Sequence, residues 1–444
     1  MKTPSKFLPL FFALILFLFL SIPLLNTDFS LSTAIKIICR RTYKPSHGLA
    51  TTSNQRDRNI DHSSSISRAI SLNISECFPA VLPSNAITGT DCCPYKPSFS
   101  KLIDFKDFAS PNATLRVRKP FHLLDEEYIA KFEKGIALMK ALPDDDPRSF
   151  IQQAKVHCAY CNGAYHFYYP FQETEFDVHS SWFFFPFHRW YIYFFERILG
   201  NLIGDPDFAL PFWNWDSIEA MQMPSCFTNP NSSLFHQLRN QKHLPPHVID
   251  LNYAVGNIDV PSHQQVLYNL VTMYKQMVLA STTELFMGSP FRLGDNPRPG
   301  IGSVEAAPHN TVHTWVGGAD TPNHEDMGTF YTAARDPIFY GHHSNLDRMW
   351  AIWKTLGEGR KEYNDQDWLD SEFFFYDENA NFVRVKVRDC IDNKKLGTSF
   401  KVGLSKVLEN LEAEEDDDVL VTLVPRMGKG EVTLGNIKIE FMPR

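Results

Sequence analysis

Features that would indicate a nucleic-acid-binding or repetitive protein are missing from this sequence of 444 residues. There is no long run of basic residues, and 51 Asp and Glu outnumber 43 Lys and Arg, so the net charge is -8. Nucleic-acid binding requires a concentrated positive surface, and we therefore expect no nucleic-acid partner. No internal repeat of short period occurs, which excludes a short-period repeat architecture.

A second C-x-x-C pair is also missing. Cys158 and Cys161 have this spacing, but a four-sulfur zinc site needs two such pairs. Disulfide bonds are the better interpretation if the protein leaves the reducing cytosol. Adjacent cysteines cannot easily pair with each other, so Cys92 and Cys93 each need a distant partner. The full set is Cys39, Cys77, Cys92, Cys93, Cys158, Cys161, Cys226 and Cys390.

The N-terminus indicates export. Lys2 and Lys6 precede an uncharged apolar run that ends near Leu25. A positive start followed by such a run is typical of a signal peptide, and the run is barely long enough for an uncleaved membrane anchor. We assign residues 1–28 to this segment and the Ser-rich residues 29–76 to a leader or linker. Three glycosylation sequons agree with secretion. They begin at Asn73, Asn112 and Asn231.

Histidines are concentrated in two groups. In the second group, His309 and His313 are four residues apart, which on a helix places two imidazoles on one face about one turn apart. His342 and His343 supply candidates for a third ligand. Imidazole is the commonest metal-binding side chain, so both groups predict metal sites. The first group consists of His157, His179 and His188.

Hydrophobic periodicity predicts a mainly α fold with long loops and a small C-terminal β region. The region 221–261 is rich in Pro and Asn, and we expect it to be a long surface excursion. After about Tyr363, alternating apolar and polar residues predict strands. The segments with helical character are LLDEEYIAKFEKGIALMKAL, IQQAKVHCAYCNGAY, RWYIYFFERIL with Pro186 at its start, QQVLYNLVTMYKQMVLAS and SNLDRMWAIWKTL.

Two three-histidine groups carried on helices predict a four-helix-bundle core that holds two metal ions face to face. Three neutral imidazoles per ion, without carboxylate or thiolate, suit copper in both oxidation states and leave an open position for dioxygen. A dinuclear zinc or iron hydrolase is the weaker alternative, because such a site normally includes bridging carboxylates.

The sequence resembles the plant polyphenol oxidases, the catechol oxidase and tyrosinase group of type 3 copper proteins. The similarity covers roughly 77–397, including the D-W-L stretch at 367–369. It implies a copper-binding domain at 77–362, a DWL-type segment at 363–400 and a truncated C-terminal shielding domain at 401–444. The matching motifs are VHCAYCNGAY, VHSSWFFFPFHRWYIYFFERIL, APHNTVHTWVGG and ARDPIFYGHHSNLDRMWAIW.

The resemblance implies six ligands for two copper ions. The family uses the second histidine of the adjacent pair, so His342 stays outside the ligand set. The implied ligands are His157, His179 and His188 for the first copper and His309, His313 and His343 for the second. The resemblance also implies three covalent links, which are a thioether from Cys161 to the ring of His179 and the disulfides Cys77–Cys93 and Cys92–Cys158.

Further residues receive roles near the substrate from the same resemblance. Phe330 corresponds to the bulky gate residue over the second copper. Glu305 and Asn310 correspond to a pair that holds a water able to accept a phenol proton. Such a base is needed only for monophenols, because the pKa of a phenol is near 10. Asp347 lies one turn beyond His343 and is expected to support that ligand or to pack the helix.

The implied function is the oxidation of small ortho-diphenols by dioxygen to ortho-quinones, with monophenol hydroxylation left open. The alternatives are a specialised type 3 copper oxidase for one secondary metabolite and an oxygen-binding protein without turnover. Many plant members begin with a Ser-rich transit peptide, whereas this chain begins with an apolar segment. We therefore expect the secretory pathway, ending in the vacuole, with the thylakoid lumen of the chloroplast as the alternative.

Overall fold

The structure, a computed structural model, describes residues 69–86, 90–95, 102–105, 115–168, 173–255, 260–357 and 359–401, and four short strands beyond residue 410. Four features of the sequence lie wholly or mostly outside these residues: the signal or anchor at 1–28, the leader at 29–76, the sequon at Asn112 and the C-terminal segment at 401–444. Within the described part of the chain, no helix combines the length and hydropathy needed to cross a bilayer.

The prediction of a mainly helical fold is confirmed. One π-helical turn, Tyr274–Leu279, extends the fourth helix, and another, Glu305–His309, leads into the sixth. The α-helices of the described residues are α1 (Glu126–Ala141), α2 (Phe150–Cys161), α3 (Phe184–Ile203), α4 (Ser262–Met273), α5 (Thr283–Met287), α6 (Asn310–Val316), α7 (Ile338–Trp353) and α8 (Gln366–Asp370).

Local signals define the ends of the helices that carry the histidines. Ser149 caps α2, because its hydroxyl accepts a hydrogen bond from the backbone N–H of Gln152. Pro186 lies in the first turn of α3. Backbone N–H groups of a first turn have no hydrogen-bond partner within the helix, so the N–H that proline lacks is not needed there. Gly204 ends α3 in the left-handed conformation with a φ of 72°.

Helix α3 is buried around nearly its whole circumference, which its mixed polar and aromatic sequence did not indicate. Phe187, Trp190 and Phe194 are fully buried, and so is Glu196. A helix buried on all sides belongs to the core of a large domain. It packs against α1 and against α7, the helix that carries His343 of the second group.

The strands are short. β5 and β6 pair antiparallel, which confirms the strands predicted after Tyr363, and β1 joins β6 in parallel. β2 pairs with β7 in parallel, and β3 and β4 form an antiparallel pair. The bounds are β1 (Leu102–Asp104), β2 (Arg116–Arg118), β3 (His166–Tyr168), β4 (Glu173–Glu175), β5 (Glu372–Tyr376), β6 (Phe382–Lys386), β7 (Thr398–Phe400), β8 (Leu411–Ala413), β9 (Leu423–Pro425), β10 (Glu431–Leu434) and β11 (Ile437–Glu440).

The chain divides into two compact units. The larger contains Asn59–Glu409 and Val432–Ile439, and with them all the α-helices above and every candidate site residue. The smaller contains Met1–Arg58, Asn410–Glu431 and Glu440–Arg444, and in it β8 pairs antiparallel with β9.

The expectation that 221–261 forms a surface excursion holds only in part, because most of its described residues are at least partly exposed but several side chains enter the core. Phe227, Leu234 and Ile249 are fully buried, although the segment has little regular structure. The Asn269 side chain on α4 forms hydrogen bonds with the backbone of this segment. It donates to the Ile249 carbonyl at 2.6 Å and accepts from the N–H of Leu251 at 2.9 Å. Irregular backbone is tolerated in a core where such side chains meet its hydrogen-bonding needs.

A buried network of ion pairs joins β2, α3 and α7. Glu196 on α3 accepts from Nε of Arg116 and from Nε of Arg118, each at 2.7 Å. Arg118 also donates to Asp347 on α7 at 2.8 Å, and Asp347 accepts from Arg189 as well. Asp347 therefore packs α7 against α3, the second of the two roles expected for it.

Burial by itself would raise the pKa of Glu196, but the charges of Arg118 and Arg116 outweigh burial, so the pKa is lowered. Removing one partner of a buried ion pair leaves the other as an uncompensated buried charge. We expect Glu196→Gln to lower the free energy of unfolding of the metal-free protein by about 3–5 kcal/mol at neutral pH.

Urea unfolding measured by circular dichroism checks this, with Glu127→Gln as the control, since the Glu127 side chain is 83% exposed. The difference between wild type and Glu196→Gln should shrink as the pH falls below the usual glutamate range, because protonation removes the same charge from the wild type. A change below 1 kcal/mol at neutral pH would contradict the importance of the network.

Candidate metal centre

The first histidine group lies between α2 and α3. His157 is on α2, His188 is in the second turn of α3, and His179 is on the turn that precedes α3. Their donor atoms and the sulfur of Cys161 all lie within 4.8 Å of one another, and all four residues are buried. The structure thus brings the predicted residues of the first group together, although His179 is carried by a turn and not by a helix.

The second group lies between α6 and α7. Its members also lie within 4.8 Å of one another and are buried; they are His309, His313, His342 and His343. Ala307 is extended, with φ -153° and ψ 130°, because it precedes Pro308. His309 is the residue just before α6, and the rings of His309 and His313 approach to 4.6 Å between centroids, as the four-residue spacing predicts.

Hydrogen bonds to the rings show which nitrogen of each imidazole is free. Nδ1 of His157 lies 3.0 Å from the carbonyl oxygen of Phe330, and Nδ1 of His188 lies 2.7 Å from that of Phe184. A carbonyl oxygen only accepts, so Nδ1 carries the proton and Nε2 keeps its lone pair. Among the described residues, both of these Nε2 atoms are buried without a hydrogen-bond partner. Such nitrogens are the donors that a metal ion uses.

The second group has the same arrangement. Nδ1 of His313 lies 2.8 Å from the carbonyl oxygen of Met327, and Nδ1 of His309 lies 2.9 Å from Oδ1 of Asn310. Nε2 of His313 is 3.1 Å from Nε2 of His309 and 3.2 Å from Nε2 of His343. Imidazole nitrogens bound to one ion at about 2 Å lie roughly 3.3 Å apart in a tetrahedral site. The spacing therefore fits a shared metal ion.

His342 differs from the other histidines of its group. Its Nδ1 lies 3.1 Å from Nε1 of Trp215, and an indole nitrogen can only donate. Nδ1 of His342 is therefore the acceptor, and in a neutral ring the proton must then be on Nε2. A protonated nitrogen has no lone pair for a metal, so the bond from Trp215 disfavours His342 as a ligand, whereas Nε2 of His343 lies 3.2 Å from Nε2 of His313.

The two groups are in direct contact. The rings of His188 and His343 stack at 4.3 Å between centroids, and those of His179 and His309 lie 5.7 Å apart. Each contact joins a member of the first group to a member of the second. Two ions held by these groups would share one cavity, which is the arrangement of a dinuclear centre.

Burial keeps the imidazoles neutral. Desolvation lowers the pKa of His157, His188 and His343 well below the ordinary value, and neighbouring histidines lower it further. Desolvation lowers the pKa of His313 to about 3, against a smaller opposing effect of the Met327 carbonyl. Neutral imidazole is the form that binds a metal ion.

Phe330 lies elsewhere than expected. Its ring stacks on His179 at 4.1 Å between centroids with an interplanar angle of 10°, and its carbonyl oxygen contacts His157. Both partners belong to the first group, so the expected position over the second copper is wrong. The role came from the family resemblance, and the loop that carries Phe330, although close to the second group in sequence, folds back over the first.

Glu305 and Asn310 are one turn apart at the start of α6. Glu305 is buried, its Oε1 accepts from the backbone N–H of Ser180 at 2.6 Å, and its Oε2 has no partner among the described residues. Burial, the largest cause, raises the pKa of Glu305 well above the ordinary value. One oxygen is thus free to accept a proton or a hydrogen bond.

The cysteines link the N-terminal arm to α2. The structure contains the disulfides Cys77–Cys93 and Cys92–Cys158, the pairing that the family resemblance implies. Cys158 follows His157 directly, so the Cys92–Cys158 disulfide lies next to a candidate ligand. Cys161 forms no disulfide and lies in the first histidine group, beside His179.

Sequence reasoning missed several residues that orient the rings. Asp177 accepts from the backbone N–H of His179 at 2.8 Å and lies 3.3 Å from its Nδ1. An acid two residues before a candidate ligand could have been noticed. The carbonyls of Phe330 and Met327 carry no sequence signal, because any residue type supplies a carbonyl.

Comparison with known proteins agrees with this geometry. Residues 147–356 match the common central domain of tyrosinase, and residues 362–407 match the polyphenol oxidase middle domain. A chloroplastic polyphenol oxidase of Malus domestica is 52% identical over 356 residues, covering 76% of this chain and 59% of the relative. Aureusidin synthase of Antirrhinum majus is 54% identical over 328 residues, covering 73% of this chain and 58% of the relative. The chain thus spans less than two thirds of the length of these relatives.

Solved structures give the same result. The crystal structure of Grenache (Vitis vinifera) polyphenol oxidase superimposes with a TM-score of 0.71 at 52% identity, covering 74% of this chain and 96% of that chain. The structure of an active aurone synthase with copper B superimposes with a TM-score of 0.70 at 41% identity, covering 76% of this chain and 100% of that chain. The two histidine groups therefore form a dinuclear copper site of the tyrosinase type.

The expectation of a secretory, vacuolar protein is wrong. Relatives from Malus domestica, Vitis vinifera, Ipomoea batatas and Vicia faba are all named chloroplastic. The apolar start of the sequence misled the prediction, because a hydrophobic export signal does not by itself identify the membrane that is crossed.

The tautomer argument predicts different copper contents for two neighbouring substitutions. His343→Gln removes a free Nε2 donor and should lose about one of the two copper ions after dialysis, whereas His342→Gln should retain both. Copper is measured by plasma mass spectrometry, with circular dichroism to verify folding. Equal copper loss in both variants would contradict the assignment.

Proposed function

The chain belongs to the plant polyphenol oxidase family, and from this membership we propose that it oxidises ortho-diphenols to ortho-quinones with dioxygen as the acceptor. The proposal is carried by one observation, the meeting of two buried three-imidazole sets whose ring contacts reach 4.3 Å. In balanced form, two diphenols and one dioxygen yield two quinones and two waters.

Six histidines would hold the metal in this proposal. A bound copper pair supplies the activation of dioxygen for two-electron oxidation of the phenol. The remaining contributions come from the chain. Carbonyls and Asn310 hold the Nδ1 protons and so aim the ring nitrogens, and burial keeps water from the rings. The ligands are His157, His179 and His188 in one set and His309, His313 and His343 in the other.

Substrate access is proposed to pass Phe330. Its ring covers His179, is stacked nearly parallel to it and is only half-buried. A phenol approaching the first set would contact this ring and be oriented by aromatic packing. The thioether between Cys161 and His179 is part of the same proposal, because it would keep His179 in place beneath Phe330.

Monophenol hydroxylation is a second candidate activity, and the free Oε2 of Glu305 favours it. A monophenol must lose its hydroxyl proton before it reacts, and a buried carboxylate with a raised pKa is an effective proton acceptor. Asn310 could orient a water between this carboxylate and the substrate.

A specialised oxidase is a third candidate, since aureusidin synthase is a relative at 54% identity. We further propose that residues 77–362 form the copper domain and 363–400 the following segment, and that the protein is located in the plastid, as its relatives' names suggest.

Oxygen uptake tests the main proposal. Copper-loaded protein should consume dioxygen with 4-methylcatechol, and chelator-treated protein should not until copper is restored. Catechol, tyrosine and a chalcone are compared before and after limited proteolysis. Turnover of the chalcone alone would favour the specialised oxidase. No uptake by protein with both coppers bound would refute oxidation and favour an oxygen-binding protein.

Glu305→Gln separates the two activities. The substitution keeps the shape and removes the proton acceptor, so tyrosine hydroxylation should fall by about 10²–10⁴-fold while 4-methylcatechol oxidation stays within a few-fold of wild type. The oxygen electrode measures both rates, and copper content serves as the control. Equal losses for both substrates would assign Glu305 to site structure alone.

A further inference from the structure

A cavity of about 500 Å³ lies beside the first histidine group and shares the Phe330 ring with it as a wall. Other walls come from Val81–Pro83 of the N-terminal arm and from Gly163, just after α2. This volume falls within the range of about 300–1,000 Å³ that is usual for small-molecule sites. The cavity can therefore hold the part of a ligand that extends away from the histidines.

Three charged residues line this cavity, and two of them neutralise each other. Arg298 places Nε 2.8 Å and Nη2 2.6 Å from Oδ2 of Asp177. The Asp177 side chain is 4% exposed, whereas that of Arg298 is 54% exposed. A substrate carboxylate that took over Arg298 would leave Asp177 buried without its counterion, which is costly. The Asp177–Arg298 pair thus adds no net charge to the cavity.

Glu175 supplies the remaining charge. It is exposed at the end of β4, and its Oε2 lies over Gly163, 3.1 Å from where a Cβ on that glycine would be. Gly163 has a φ of 64°, a conformation that favours glycine and leaves this space open. The described part of the chain shows no hydrogen bond or ion pair to the Glu175 carboxylate, and the β3–β4 connection at 169–172 contains no charged residue. The cavity therefore has one unpaired negative charge.

Much of the remaining lining is apolar. Val81 is 58% exposed, and Leu82, Pro83 and Phe330 add further hydrocarbon surface, whereas Asn162, Thr329 and Tyr331 supply uncharged polar groups. A cavity with hydrocarbon walls and one unpaired carboxylate is complementary to a hydrocarbon chain that ends in a cation.

We propose that this cavity holds the side chain of the phenolic substrate and that Glu175 selects phenols with an ammonium group over phenols with a carboxylate. The inference rests on the proposed function for the identity of the substrate, but the charge preference rests on the cavity alone. Glu175 is exposed, so its effect is limited by solvent screening to about two- to five-fold.

Three catechols that differ in the charge of the side chain test the proposal. They are dopamine, 4-methylcatechol and 3,4-dihydroxyphenylacetate. For the copper-loaded wild type, kcat/KM should be highest for dopamine relative to the carboxylate, mainly through KM, and the ratio should fall as salt is added. Glu175→Gln should lower this ratio by about two- to five-fold.

Glu126→Gln is the matched control, because Glu126 is exposed at the start of α1 and does not line the cavity. Binding of 2-phenylethylamine and phenylacetate, measured by saturation-transfer NMR, gives a second readout, since neither has a hydroxyl group that could be oxidised. Glu175-dependent binding of the amine without turnover of 4-methylcatechol would support the cavity while refuting the proposed function. No preference for the amine, or a preference that Glu175→Gln leaves intact, would overturn the inference.

Discussion

The site depends on burying seven imidazoles in contact without burying an unpaired charge. Each ring must be neutral, and one of its nitrogens needs a hydrogen-bond partner. The other nitrogen either keeps a lone pair for a metal ion or carries the proton and cannot bind one. Five of the seven rings meet this condition among the described residues. Four have an acceptor on Nδ1, such as the carbonyls at His157 and His188, and His342 has a donor that cannot accept, the indole of Trp215. The proposed ligand set depends on these partners as well as on the histidines themselves.

Rigid placement of the partners comes from the core. Helix α3 carries His188 and is surrounded by aromatic side chains, and the next residue, Arg189, is tied to Asp347 of α7. The same carboxylate accepts from Arg118, which also bonds Glu196. The helix of the first histidine group and the helix of the second are thus held together by buried charges that compensate one another. Displacing one helix would cost both packing and charge pairing.

The loop around residues 326–331 connects the histidine groups to the neighbouring cavity. Its carbonyls orient His313 and His157, its Phe330 covers His179, and its Tyr331 lines the neighbouring cavity. Because one short segment has all these contacts, a change in the cavity wall would be transmitted to the orientation of the rings. This loop is itself held by the bond from Tyr331 to Glu325. The cavity wall and the orientation of the histidine rings therefore depend on the same few residues.

The sequence alone determined the chemistry of the site. The four-residue spacing of His309 and His313, the second group upstream and the long motifs around them identified a dinuclear copper centre and its helices, since local periodicity and ligand type are properties of the chain itself. Tertiary structure decided what depends on contacts between distant segments. They determine the hydrogen bond that sets the tautomer of His342, the stacking of Phe330 on the first group and the burial of Phe227 and Ile249 within a segment expected at the surface. They also include the pairing that leaves Glu175 as the one unpaired charge in its cavity among the described residues. None of these could be read from spacing, because carbonyl acceptors have no sequence signature and because a side chain's partners are set by how the chain folds back on itself.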